Sequence, residues 1–168
     1  KLPKRNVRVG VANNRIGVRT IDVAGIDDPK QLANAVRFRA QEALPIPIDE
    51  AVLDFQVLSE SAPPTEGEGP TKRVLLVVAY RDLVNGYVEA CRLAGLRIAG
   101  VDLEAFALLR ALTPATAQTS SVERSALVAV SVGAERSVLA VSDGFTCEFT
   151  RVLDWGGNSL TIAVGRAL

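Results

Sequence analysis

Ala94-Gly-Leu-Arg-Ile-Ala-Gly-Val-Asp-Leu-Glu-Ala-Phe-Ala-Leu-Leu-Arg-Ala-Leu112 decides how the rest of the chain is read. Gly95 is placed to end one helix, because glycine takes the left-handed cap conformation at no steric cost. Ile98 and Val101 then mark a short strand, and Asp102 is expected to open a new helix with Leu103, Phe106, Leu109 and Leu112 along one face. Upstream, Asp82 is expected to cap the helix that Gly95 ends, whose apolar face is Val84, Tyr87, Val88, Cys91 and Ala94. Downstream, Thr113-Pro114 stops the second helix, and the polar stretch TPATAQTSSVER (113–124) is the clearest compositional break.

Working back toward the start, Val7, Val9 and Val11 alternate with Arg8 and Gly10, and Ile16, Val18 and Ile21 follow Asn13-Asn14. Asn tolerates positive φ, so this pair suggests a hairpin turn between two strands. Asp28-Pro29-Lys30-Gln31 has the signature of a capped helix start. Leu32, Ala35, Val36, Ala40, Ala43 and Leu44 give that helix one apolar face, and Pro45 and Pro47 stop it. Leu53, Phe55 and Val57 alternate with Asp54 and Gln56 as a half-wet strand. SESAPPTEGEGPTK (59–72) reads as a flexible connection, and Val74 to Ala79 is an unbroken apolar run, the mark of a central strand. Residues 1–96 therefore read as an α/β sandwich, 97–112 as a strand and helix, 113–125 as a hinge, and 126–168 as a three-strand meander plus a last helix.

The meander carries the candidate ligand-binding positions. Ser131-Val-Gly-Ala-Glu-Arg-Ser137 spans a turn between two strands, and Gly156-Gly157-Asn158-Ser159 leads from a strand into a helix. The helix start after Gly156-Gly157 presents exposed amides that can bind an anion. The plain reading of both segments is tight turns alone. Asp143-Gly144 is a hairpin signal. Asp49, Glu50 and Asp54 form an acidic cluster whose members point in different directions, so solvated charge describes them better than a metal site.

Composition closes off several classes. The 168 residues are 48% hydrophobic and 23% charged, a soluble globular balance. Lys+Arg and Asp+Glu both number 19, and this zero net charge argues against a general nucleic-acid binder. Lys1, Lys4, Arg5, Arg8, Arg15 and Arg19 precede the first acid, Asp22. This reads as a solvated strand face, with a patch for acidic lipid or an acidic partner as the alternative. With no His there is no Ser/His/Asp or Cys/His chemistry, and no P-loop motif occurs. Cys91 and Cys147 lack metal-ligand spacing and fit reduced cytosolic thiols. No apolar run reaches the roughly 20 residues of a membrane span. The chain has no Met and runs to Leu168 inside a helical pattern, which reads as a piece of a longer protein.

The order of these pieces resembles the PilM family, the FtsA-like, actin-fold proteins of type IV pilus assembly. The resemblance rests on Arg19-Thr20, the segment from Leu44 to Leu58, Val77-Val-Ala79, the Ala94–Leu112 stretch and the segment from Arg151 to Thr161. It implies that 1–96 is an inserted subdomain 1C, that 97–112 returns to subdomain 1A, and that 126–168 begins subdomain 2A. It implies ATP and magnesium as ligands of the full-length protein, with Ser131, Gly133, Ser137, Gly156 and Gly157 near the phosphates and no cofactor for these residues alone. Ser131 stands where the family pattern has Asp, which leans against hydrolysis. The implied role is a cytoplasmic scaffold peripheral to the inner membrane, bound to the N-terminal peptide of a PilN-like membrane protein and to other platform components. Val84, Tyr87 and Leu103 are candidate contacts with that peptide. The alternatives are an actin-like ATPase, an FtsA-like filament-forming division protein and the cytoplasmic domain of a type II secretion protein. Open apolar faces also suggest self-association.

Overall fold

The computed structural model describes residues 6–43, 47–61, 69–113, 126–144 and 146–168. The first elements in chain order are β1 (Asn6–Val11), β2 (Ile16–Ala24), α1 (Pro29–Ala43), a 3-10 turn (Ile48–Glu50), β3 (Ala51–Ser61) and β4 (Thr71–Tyr80). They are followed by α2 (Arg81–Leu93), β5 (Arg97–Leu103), α3 (Glu104–Leu112), β6 (Leu127–Val132), β7 (Ser137–Ser142), β8 (Cys147–Leu153) and α4 (Gly157–Ala167). They form two compact units. One is Arg15–Glu89, and the other comprises the described residues before Arg15 together with those from Ala90 onward.

In Arg15–Glu89, an antiparallel sheet of order β2-β4-β3 is covered on one face by α1. Side chains alternate across a strand, so Val74, Leu76 and Val78 all reach the helix side, where they are at most 1% exposed. Val36 and Ala40 of α1 meet them at 0% exposure, with Leu32, Val23, Ile48 and Ala51 completing the core. The expected helix start is present: Asp28 Oδ1 accepts from the amides of Lys30 and Gln31 at 2.9 and 2.8 Å. Of the expected apolar face, the side chain of Ala43 and all of Leu44 lie outside the described residues, as does the expected stop at Pro45. Lys72 is buried at the edge of this core, its charge met by the Ile26 carbonyl at 2.6 Å and Asp27 at 3.2 Å.

The other unit holds a two-stranded parallel sheet, β1-β5, and the antiparallel meander β6-β7-β8. Helix α3 covers the meander face that carries Ala129, Val138, Ala140 and Cys147, burying Ala105 and Leu109 against it. Gly95, at φ 70°, ends α2 with Leu96 N–H bonded to Cys91 O and Gly95 N–H to Arg92 O, a Schellman closure.

Several expectations are corrected. β1 and β2 are not a hairpin: β1 pairs in parallel with β5, Val7 opposite Ile98 and Val11 opposite Leu103. The first strand therefore falls outside the unit that holds β2, β3 and β4. A tight Asn-Gly-type turn needs positive φ, and among the described residues only glycines have it. Asp82 is not a cap but lies in the first turn of α2, its two oxygens gripped by Arg15 at 2.8 and 2.9 Å. That guanidinium also lies 4.4 Å from the Tyr80 ring centre and, as the hydrogen-bond donor, holds the Asp82 carboxyl below its usual range. Asp102 sits in β5 and pairs with Arg110, and α3 opens at Leu103 without a side-chain cap. The ends of the expected flexible stretch are strand, with Ser59, Glu60 and Ser61 opposite Arg73, Lys72 and Thr71. Residues 62–68 of it lie outside the described residues. A bulge between Val57 and Ser59 breaks the alternation, leaving Val57 exposed.

Candidate functional site

Four of the five candidate phosphate-contact residues meet at one junction, between the β6–β7 turn and the start of α4. The turn closes on itself through Gly133 N–H to Arg136 O at 2.9 Å. Its outward carbonyls then receive the first amides of the helix: Gly157 N–H reaches Gly133 O at 2.9 Å and Asn158 N–H reaches Ala134 O at 2.8 Å. A helix start carries unpaired donors and the positive end of the helix dipole, and here two peptide carbonyls satisfy it. Gly156 is buried beneath this contact. A Cβ there would stand 2.5 Å from Gly133 O and 2.6 Å from Ala134 O. Its φ of −160° is ordinary extended backbone, so the close approach, not the conformation, demands glycine. Gly133 is likewise crowded, with a Cβ 2.8 Å from Arg136 O.

Side chains tie the junction further. Ser137, only 3% exposed, donates its hydroxyl to the Trp155 carbonyl at 2.7 Å. Asp154 takes Arg136 Nε at 3.2 Å and Asn14 Nδ2 at 2.7 Å. Both members of the Arg136–Asp154 pair are more than half exposed, so solvent screening keeps its contribution small. Ser131, the fifth candidate, is half-buried near the end of β6, opposite Val138.

Asp154, Arg136 and Asn14 were missed by sequence reasoning. Asp154 lies inside the quoted 151–157 segment, but nothing local announces its partners. The carbonyls of Gly133, Ala134 and Trp155 have no sequence signal at all, because every residue carries one.

As a cradle for nucleotide phosphates, Gly133, Ser137 and Gly157 do not fit in the arrangement described. The amides of Gly133, Gly157 and Asn158 and the hydroxyl of Ser137 already have backbone acceptors. Among the described residues no group of three or more His, Cys, Asp or Glu is placed to hold a metal ion. Asp49 and Glu50 lie in the 3-10 turn, while Asp54 turns its carboxylate to the Phe55 amide of its own strand at 2.9 Å.

Of the candidate peptide contacts, Val84 and Tyr87 are half-buried, one turn apart on α2 in Arg15–Glu89. Leu103 is half-buried at the end of β5 in the other unit. Cys147 is buried against α3, and that burial pushes its thiol up to about 11. No helix among the described residues is long and apolar enough to cross a membrane.

Comparison with known proteins accounts for this architecture. The family model described as type IV pilus assembly protein PilM matches residues 1–167. A solved structure described as a PilM-PilN type IV pilus biogenesis complex superposes with a TM-score of 0.75 and 31% identity, over 98% of this chain and 47% of that one. The chain thus spans about half the length of that relative. With a family match along nearly its whole length, the chain belongs to the PilM family of type IV pilus assembly proteins, and its mixed α/β architecture is that of a fragment of their actin-like fold.

Proposed function

We propose that this chain is part of a scaffold for pilus assembly, working on the cytoplasmic side of the inner membrane by holding a PilN-like membrane protein through a short N-terminal peptide. The observation that carries the partner is the likeness, at 31% identity over 98% of the chain, to a chain from a PilM-PilN complex. An extended peptide lying in an apolar groove is a recognition mode suited to such a tether. Val84, Tyr87 and Leu103 remain the proposed contacts, and other platform components would dock on the same body. The subdomain reading belongs to this proposal, with 1C narrowed from 1–96 to Arg15–Glu89, 1A at 97–112 and 2A at 126–168; residues 114–125 of the expected hinge lie outside the described residues.

The scaffold reading is favoured over the ATPase reading by the junction at α4. Its first amides are engaged by the β6–β7 turn, and position 131 offers a hydroxyl where metal-assisted hydrolysis would use a carboxylate. Nucleotide binding, if the full-length protein has it, needs contacts from beyond these residues. The test is calorimetric titration of the full-length protein with a synthetic N-terminal PilN peptide. Saturable binding that weakens at least tenfold in Tyr87→Ala supports the scaffold. Absence of binding at 100-fold peptide excess, on the order of millimolar or weaker affinity, rejects it.

A further inference from the structure

We propose that two copies of this 168-residue chain pair through the open face of the β6-β7-β8 sheet, α4 of each copy lying on the sheet of the other. Side chains alternate across a strand, so the face turned away from α3 carries Val128, Val130 and Val132 of β6, with Leu139 and Val141 of β7 beside them. The irregularity in β8 pairing at Val141 and Ser142 puts Phe149 and Leu153 on this face too, although Cys147 points to α3. The three β6 valines stay at least 57% exposed. Arg151, opposite Leu139, is the one charged side chain on the face.

Helix α4 is the complementary half. At 100° per residue Leu160, Ala163, Val164 and Ala167 share one side of it, all exposed. None of its 11 residues is buried, and a helix of this length without tertiary contacts is marginal in water. The hydrogen bonds from Gly157 and Asn158 to the β6–β7 turn fix where α4 starts, and from there it leaves its own sheet uncovered. One chain thus carries a sheet face without a helix and a helix without a sheet. The opposite face of the same sheet shows the fit, since α3 roofs it with little more than Ala105 and Leu109.

A two-fold exchange satisfies both surfaces in both copies, as an isologous interface requires. The area suffices: sheet face and α4 stripe expose about 700 Å² per chain, against roughly 800 Å² per partner in a standard interface. A formal net charge of zero leaves no bulk repulsion between copies. Val84, Tyr87 and Leu103 belong to other elements, so the pairing is separate from the peptide contact.

Sedimentation velocity of the chain tests this, beside Val130→Asp on the sheet and Val164→Asp on α4. Both side chains are at least 50% exposed in the single chain, so matching urea midpoints are expected at about 1 µM, where the chain is monomeric. The mass is expected to rise from 17.8 kDa toward twice that value between about 1 and 100 µM, the weak end for interfaces of this size. Each variant should weaken pairing at least tenfold. An equimolar mixture of the two should pair at least fivefold more tightly than either alone, because one intact helix then meets one intact sheet. Three results each overturn the proposal: a monomer throughout this range, whether or not it pellets with anionic vesicles, pairing that neither variant weakens, or a mixture no better than its components.

Discussion

Two three-stranded antiparallel sheets, each roofed by one helix, finish their surfaces in opposite ways. The β2-β4-β3 sheet meets α1 through large aliphatic side chains, and Leu76, Val36 and Val74 are fully enclosed. The β6-β7-β8 sheet meets α3 largely through small residues, Ala105, Ala129 and Ala140, and keeps its other face open. On that open face Val128, Val130 and Val132 are 61%, 60% and 57% exposed, with Phe149 and Leu153 beside them. The first region is held by apolar packing under one helix. The second concentrates its order in a polar backbone junction, where a turn, a strand end and a helix start exchange hydrogen bonds. The difference teaches where each region is vulnerable: to lost volume in one, to added volume in the other.

Deleting volume from the first core should produce the largest effect. Leu76→Ala is expected to cost about 3 kcal/mol, the transfer loss plus the cavity it leaves. Urea unfolding followed by hydrogen exchange at residues 74–78 measures it, and a loss under about 1 kcal/mol would mean that the core is looser than described.

Adding volume at the junction comes next. Gly156→Ala would drive a methyl into two carbonyl oxygens and is expected to cost about 2 kcal/mol, as overpacking does. Trp155, the only tryptophan, gives a local fluorescence readout next to the substitution. Ser137→Ala should cost roughly 1–2 kcal/mol, because it removes a buried donor from the Trp155 carbonyl.

The buried thiol sharpens the comparison with a smaller effect. Burial raises the Cys147 pKa from 9.0 to about 11, so the folded chain holds this proton more tightly than the unfolded one. Its contribution to stability is complete below pH 9 and declines as pH rises toward 11. At pH 8 its thiolate is scarce, and iodoacetamide should label Cys147 far more slowly in the folded chain than in urea. The smallest effect is expected on the open face, where Val130→Thr should change stability by no more than about 0.5 kcal/mol.

Much of the first region was legible in the sequence because its signals are local. The Asp28 cap, the Leu32–Val36–Ala40 face and the unbroken Val74–Ala79 run each follow from periodicity and capping chemistry. Gly95 was readable for the same reason, since a left-handed cap favours glycine. Partner choice was not readable. Val7, Val9 and Val11 announce a strand, but nothing local says that it pairs with a strand some ninety residues on instead of its neighbour. Asp82 and Asp102 looked like caps because short acids cap helices. Arg15 and Arg110, distant or a helix length away, took them instead. At the junction, the glycines flagged a close approach, but which groups approach was hidden, because all three, the oxygens of Gly133, Ala134 and Arg136, are peptide carbonyls that every residue carries.

The β6–β7 turn occupies the first amides of α4. The most direct test titrates magnesium ATP into the 15N-labelled chain while following the amides of Gly133, Gly157 and Asn158. These resonances are expected to stay in place up to millimolar nucleotide and to exchange slowly with solvent, as hydrogen-bonded amides do. Saturable shifts of the same three amides at micromolar nucleotide would contradict it and restore the enzyme reading.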